Sequence, residues 1–384
     1  MTYGNCCHCF CSKDIAILER FKSNCLVRKE KEYKLPFNSP WRDKSDGKAR
    51  EQRQEQLCSQ ATRLRRRSVV FVVCVFASVI LGTSCSRHDH SVPVEANGKG
   101  KVTIVYQEEA ILPENRDAIK KIRDAGVFER MADRLTKVVA LPHDLQIIVT
   151  DKLPKAIDCP TTELDGRTIL WPAAFSKATH DVLTESLPEV IATKGLPRAI
   201  SQENFTADVL NVWGNQFILG HELGHAIMHQ LSLPLTGLEE DSADGFATFF
   251  TVNDKETGPN AALGAAVLFD AMGSKRPNLT LEDFSSDHAV ILQRVYNFLC
   301  AVVGSDPQRL QNSLVTDGYI PDLRAMLCPK EWTQLNYGWW TMLEPHLADS
   351  YKQEAEAARQ QARKGLEDEN KALAAKLRQM RGQQ

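Results

Sequence analysis

His221-Glu222-Leu223-Gly224-His225 is the stretch that decides the fold of this chain, and Glu240-Asp241-Ser242-Ala243-Asp244 follows it. Histidines at positions i and i+4 lie on the same side of a helix, one turn apart, so both imidazoles can reach one metal ion. A catalytic zinc ion takes three protein ligands and leaves one position open for water. The two motifs therefore predict a mononuclear zinc site built on two helices.

The second motif supplies the third ligand and a partner for the histidines. Glu240 is predicted as the ligand, because an aspartate follows it one helical turn later. That aspartate, Asp244, is predicted to accept a hydrogen bond from the free ring nitrogen of a ligand histidine. Glu239, Asp241 and Asp244 remain alternatives for the third ligand, since all of them lie close to Glu240 in the sequence.

Hydrolytic chemistry follows from the residue types. Zinc lowers the pKa of its bound water towards neutrality, and Glu222 is predicted to take the proton from that water as the general base. The tetrahedral oxyanion needs a further donor, for which His288 and Tyr296 are the candidates. His229 is roughly 12 Å along the helix axis from His221 and is expected to be an ordinary helix residue.

Apolar spacing before and after these motifs predicts an α+β, zincin-like fold. Strands are expected at 101–106 and 145–150, and a hairpin is expected over 161–171 about Asp165-Gly166. The remaining segments read as helices, at 114–138, 203–231, 239–253, 260–272, 288–303, 307–315 and 330–348. A small mixed sheet, an active-site helix and a mainly helical C-terminal part follow in that order. Thr168–Trp171 is expected to be an edge strand that pairs with an extended peptide substrate.

The N-terminal part has the pattern of an exported protein. Arginines at 63–67 precede an apolar run at 68–82 and then Ser84-Cys85, which predicts a lipoprotein signal peptide with Cys85 as the lipidated residue. An uncleaved membrane anchor is the alternative. Residues 1–62 are expected to be disordered or untranslated, with a start codon at Leu64 or Val69.

Composition and length bound the remaining possibilities. The net charge is −2 without a basic face in the globular part, so nucleic acid is not an expected partner. Residues 86–99 are predicted as a tether, 100–348 as the zincin-like domain and 349–384 as a charged, solvated helix. Heptads in that last helix are too few to decide the oligomeric state.

Export changes the interpretation of the cysteines. Beyond Cys85 the chain has Cys159, Cys300 and Cys328. In an oxidising envelope Cys300 and Cys328 are candidates for a disulfide bridge. The alternative is three buried thiols.

The run from His221 to Ala247 resembles the core of a bacterial family of putative metallopeptidases of unknown function, whose members read H-E-L-G-H and then L-P-x-x-G-x-E-E-D-x-A-D. The likeness extends over roughly residues 100–348, with further matches at Asp287-His288, 293–300, 304–307, Cys328-Pro329, Trp340 and 344–347. The family is similar to gluzincins, in which the E-x-x-x-D glutamate is the third ligand, and this implies the same roles for Glu240 and Asp244. A cysteine-bearing segment typical of the family is replaced here by 169–175.

Together these patterns predict an exported, membrane-tethered zinc metallopeptidase that acts on peptides or proteins in the bacterial cell envelope. Two other functions remain open. One is a non-catalytic envelope binding protein on a zincin scaffold, against which the intact Glu222 argues. The other is a zinc hydrolase of a non-peptide amide, such as a cell-wall cross-link.

Overall fold

The structure is a computed structural model that describes residues 98–382, apart from 196–197, 199–201 and 275–277. The predicted N-terminal extension, the signal segment with Cys85 and most of the tether lie outside the described residues. Among the helices that are described, none is both long and apolar enough to span a membrane.

A four-stranded sheet opens the described part of the chain. Its strands are β1 (Val102–Tyr106), β2 (Leu145–Thr150), β3 (Thr161–Thr162) and β4 (Thr168–Pro172), in the spatial order β1-β2-β4-β3. β1 and β4 run parallel to β2, whereas β3 is antiparallel to β4. Alternate apolar side chains of this mixed sheet are fully buried, among them Ile147, Ile169 and Trp171.

The hairpin is confirmed, but its role in the sheet differs from the prediction. Gly166 lies in the turn between β3 and β4 and has a φ of 68°. The two residues of β3 pair with Ile169 and Leu170 of β4. β4 consequently lies inside the sheet, between β2 and β3. The prediction that Thr168–Trp171 is an edge strand is wrong, because the short β3 occupies that edge.

Helices make up most of the rest of the described chain and follow one another with short connections. They are α1 (Arg116–Asp124), α2 (Val127–Val138), α3 (Ala173–Lys194), α4 (Ala207–Leu231), α5 (Glu239–Val252), α6 (Asn260–Ser274), α7 (Leu281–Ser285), α8 (Ile291–Ser305), α9 (Pro307–Thr316), α10 (Asp322–Ala325), α11 (Cys328–Leu343) and α12 (Lys352–Gly382). The predicted α+β architecture, a small mixed sheet before a mainly helical part, is confirmed.

Two helical predictions need correction. The single helix predicted over 114–138 is divided into α1 and α2 at Gly126, whose φ of 62° is incompatible with a continuing helix. The whole of α3 was missed, because it begins directly after β4 and contains Pro188, which normally interrupts a helix. α3 matters for the site because it packs against α4.

Helix α4 carries the H-E-x-x-H motif through the centre of the molecule. The side chain of Thr206 accepts a hydrogen bond from the backbone of Val209 and caps its N-terminus. Most of the residues of α4 are buried, including its polar ones, so it packs on several sides rather than on one apolar face. It contacts α3, α5 and α6.

Two glycines bring α4 against α5. A Cβ atom on Gly220 would lie 3.2 Å from the Cα of Ala247, and one on Gly224 would lie 3.1 Å from the Cα of Ala243. Both separations are tighter than ordinary carbon contacts. The absence of side chains at these positions lets the two helices approach closely enough for their polar residues to meet.

The C-terminal helix is less solvated than expected. Its residues Ala355 and Ala362 are buried, and α12 packs along α11. α11 is in turn joined to α8 by a disulfide between Cys300 and Cys328. This is the predicted disulfide, and Cys159 is a buried cysteine outside it.

Candidate metal centre

His221 and His225 face each other on adjacent turns of α4. Their Nε2 atoms are 3.1 Å apart, and both side chains are buried. This is the geometry that the i, i+4 spacing predicts.

Glu240, at the start of α5, points at the same place. Its Oε2 atom lies 3.1 Å from Nε2 of His221 and 3.4 Å from Nε2 of His225. Burial alone would raise the pKa of the Glu240 carboxyl, but the surrounding histidines hold that pKa well below its ordinary value. Oε2 is buried and faces imidazole nitrogens of His221, His225 and His288.

These three atoms fit a tetrahedral metal ion. Ligand atoms about 2.0–2.1 Å from a tetrahedral zinc ion lie roughly 3.3 Å from one another. The separations of 3.1, 3.1 and 3.4 Å are close to that value. A buried carboxylate is costly unless it is paired with positive charge, and a cation shared with the two imidazoles of α4 would supply that charge.

The electrostatics of His225 point the same way. Burial lowers the pKa of its imidazole, but hydrogen bonds to Glu239 and Glu240 outweigh burial and raise the pKa to about 11. The carboxylates therefore require positive charge at this position. Either a proton or a divalent cation can provide it, and a cation would release the proton on binding.

Asp244 holds the outer nitrogen of His221. Its Oδ1 lies 2.9 Å from Nδ1 of His221, as the sequence predicted for one of the ligand histidines. Arg294, on α8, binds both oxygens of Asp244 at 2.7 and 2.8 Å. Burial would raise the pKa of the Asp244 carboxyl, but Arg294 and His221 keep it well below its usual value.

Glu239 holds the outer nitrogen of His225 in the same way. Its Oε1 lies 2.7 Å from Nδ1 of His225 and 2.7 Å from Nε2 of His229. His229 was expected to be an ordinary helix residue, but it takes part in this network. Two features of the sequence indicate this network. His229 follows His225 by the same four residues, and two glutamates, Glu239 and Glu240, stand side by side.

Glu222 is buried and is bound by a residue of the edge strand. Oγ1 of Thr162, on β3, donates to Oε2 of Glu222 over 2.7 Å and also lies 2.9 Å from its backbone oxygen. A cavity of about 30 Å³ lies beside Glu222 and His221. Such a volume has room for about one or two water molecules.

Of the two predicted oxyanion donors, the structure brings only His288 to this cluster. Nε2 of His288 is 2.6 Å from Oε2 of Glu240, and Nδ1 is 2.9 Å from Oδ1 of Asp287. His288 therefore also counts among the residues that could hold a metal. Tyr296 is 39% exposed on α8 and does not line the cavity beside Glu222.

Two residues of the site, Arg294 and Thr162, are not predicted from the sequence. Arg294 could have been suspected from its position in an apolar stretch of α8, where a charged side chain needs a partner. Thr162 had no such signal, because its contact with Glu222 depends on how the sheet packs against α4.

Comparison with known families covers the part of the chain that contains these helices. Residues 191–343 match a family model described as "Putative metallopeptidase". The matched segment contains every residue of the cluster except Thr162 and is shorter than the resemblance predicted over 100–348. Searches of curated proteins and of solved structures gave no match. At this coarse level the match supports a hydrolase of the metallopeptidase class.

Proposed function

We propose that this chain is a zinc-dependent peptidase in which His221, His225 and Glu240 hold the metal ion. One observation carries the proposal. Oε2 of Glu240 is buried and lies 3.1, 3.4 and 2.6 Å from imidazole nitrogens of His221, His225 and His288. Imidazole and carboxylate ligands of this number are those of a catalytic zinc site.

The residues around the proposed metal ion have separate roles in hydrolysis. A zinc ion would polarise the scissile carbonyl and lower the pKa of water in the site. Glu222 takes a proton from the attacking water and passes it to the leaving amine. Thr162 donates to Oε2 of Glu222, which leaves the other carboxylate oxygen to accept that proton.

His288 is the nearer candidate for stabilising the oxyanion. It lies against Glu240 and stacks beside His221, with ring centroids 5.9 Å apart. Both ring nitrogens face carboxylates, so Nε2 would have to turn from Glu240 to donate to the oxyanion. The role of Tyr296 as a donor stays a prediction from the sequence.

The test combines metal content with hydrolysis. The purified protein should contain about one tightly bound zinc ion per chain. Glu222→Gln should retain that zinc and reduce the cleavage of a peptide library by about 10²-fold, because only the basic carboxylate is lost. Glu203→Gln, at an exposed glutamate, is the control. A Glu222→Gln variant that cleaves as fast as the wild type would favour the non-catalytic binding function.

We also propose that the domain is exported and tethered in the bacterial cell envelope. Residues 63–85, with their arginines, apolar run and Ser84-Cys85, support this. Mass spectrometry of the membrane-extracted protein should find a lipidated N-terminus at Cys85, and Cys85→Ser should block its processing. An N-terminus that retains 69–81 would replace the lipoprotein with a transmembrane anchor.

A further inference from the structure

We propose that His225, His229 and Glu239 form a second divalent-cation site, weaker than the first and sharing His225 with it. The inference rests on the proposed function, since it takes His221, His225 and Glu240 as the first site. Ligand atoms of all three residues lie within 4.8 Å of one another.

The two sites are copies displaced by one helical turn. His221 and His225 are four residues apart on α4 and face Glu240, and His225 and His229 are four residues apart and face Glu239. Consecutive glutamates at the start of α5 thus meet consecutive pairs of histidines. His225 belongs to both pairs, with Nε2 towards Glu240 and Nδ1 towards Glu239.

The second site differs from the first in how its carboxylate is satisfied. Glu239 is 42% exposed and faces two imidazoles at 2.7 Å, whereas Glu240 is 9% exposed and its Oε2 faces three imidazoles. A cation entering the second site must displace the hydrogen bonds of Glu239, and Nδ1 of His225 can bind it only after releasing its ring proton to solvent, so that the imidazolate bridges the two ions. The second site is therefore the weaker one.

Solvent access favours a second cation at this place. The Glu239 side chain is 42% exposed, compared with 9% for Glu240, so it can move outward to admit an ion.

Nδ1 of His229 is buried without a hydrogen bond in the described part of the chain. The imidazole is thus not bound at both nitrogens. Imidazole and carboxylate ligands suit Zn²⁺, Co²⁺ and Ni²⁺.

Occupation of the second site would act on the first. Glu239 orients His225 through Nδ1, and a cation that takes Glu239 removes that contact. Loss of such outer contacts typically lowers metal affinity or activity by about 10–100-fold. Zinc in excess should therefore inhibit hydrolysis.

The test is a zinc titration of the purified full-length chain in detergent after removal of metal by a chelator. Isothermal titration calorimetry should detect two zinc ions per chain in the wild type, one tight and one weak. His229→Asn should abolish the weak event and keep the tight one. Glu239→Gln should abolish the weak event and also weaken the tight one, because Glu239 orients His225. His180→Asn is the matched control, since His180 lies 2.7 Å from Asp208 and 4.0 Å from Asp181, away from the metal centre.

Four outcomes separate the two proposals. Loss of the weak event in both variants supports the second site, provided that His229→Asn keeps the tight event and His180→Asn keeps both. A wild type that binds a single zinc ion overturns the second site and leaves the proposed function standing. The same holds if the weak event survives both variants. A wild type that binds no zinc overturns both proposals.

Discussion

At the scale of single residues, the candidate metal centre depends on carboxylates that bind the outer nitrogens of the histidines. Asp244 holds His221 and is itself fixed by Arg294, while Glu239 holds His225 and contacts His229. Contacts of this kind set the tautomer and direction of a ligand imidazole. These contacts therefore fix the orientation of both imidazoles.

Arg294→Met should destabilise the protein strongly. It leaves the buried Asp244 carboxylate without its cation, and removing one partner of a buried ion pair costs about 3–5 kcal/mol. Urea denaturation of the metal-free protein measures the free energy of unfolding. Arg309→Met, which breaks the exposed pair with Asp306, should change it by no more than about 0.5 kcal/mol. Equal effects of the two substitutions would contradict the importance of the buried pair.

At the scale of elements, the close approach of α4 and α5 assembles the site. Both candidate histidine ligands lie on α4, whereas Glu239, Glu240 and Asp244 lie on α5. The contact between the two helices is formed by small residues, Gly220 and Gly224 on α4 and Ala243 and Ala247 on α5. Any separation of α4 from α5 would therefore move all three carboxylates away from the imidazoles.

Gly224→Ala should weaken both stability and metal binding. The added methyl group would meet the Cα of Ala243 at 3.1 Å and the Cβ of Phe246 at 3.2 Å, and overpacking of this kind costs about 1–3 kcal/mol. Urea denaturation and zinc titration would measure the two effects.

Gly338→Ala on α11 provides the matched control. No heavy atom lies within 4 Å of its new Cβ among the described residues, so alanine should stabilise that helix by up to about 1 kcal/mol. If Gly224→Ala also stabilised the protein, the close contact would not be what sets the distance between α4 and α5.

At the scale of the whole molecule, a disulfide and a long helix hold the C-terminal part together. Cys300 and Cys328 join α8, which carries Arg294, to α11, and α12 packs along α11. The bridge closes a loop with a sequence separation of 28 residues. Such loops contribute mainly by restricting the unfolded chain.

Replacing both Cys300 and Cys328 by serine should lower the free energy of unfolding by about 2–4 kcal/mol and leave the zinc affinity unchanged. The expected loss is separate from the metal centre, because neither cysteine lies among the candidate ligands. Denaturation of the wild type in the presence of a reductant is the control and should give the same midpoint as the double variant. A reductant without effect on the wild type would show that the bridge does not form.

The sequence by itself determined the candidate ligands and most of the elements. Regular spacing identifies His221, His225 and Glu240, and the runs that became β1, β2, α4 and α5 read correctly, because local periodicity reflects which face of an element is buried. The division at Gly126 and the presence of α3 were missed. Gly126 ends one helix, whereas Pro188 is tolerated inside another. Whether a glycine or proline interrupts a helix depends on the elements that pack around it.

Only the tertiary structure decided which residues meet around those ligands. The contacts of Glu239 with two histidines, of Arg294 with Asp244 and of Thr162 with Glu222 each join segments distant in the chain. The position of β3 at the sheet edge likewise depends on pairing between strands. Spacing along one helix is set by the helical repeat, whereas distances between elements depend on how closely their side chains pack, and no local pattern encodes that.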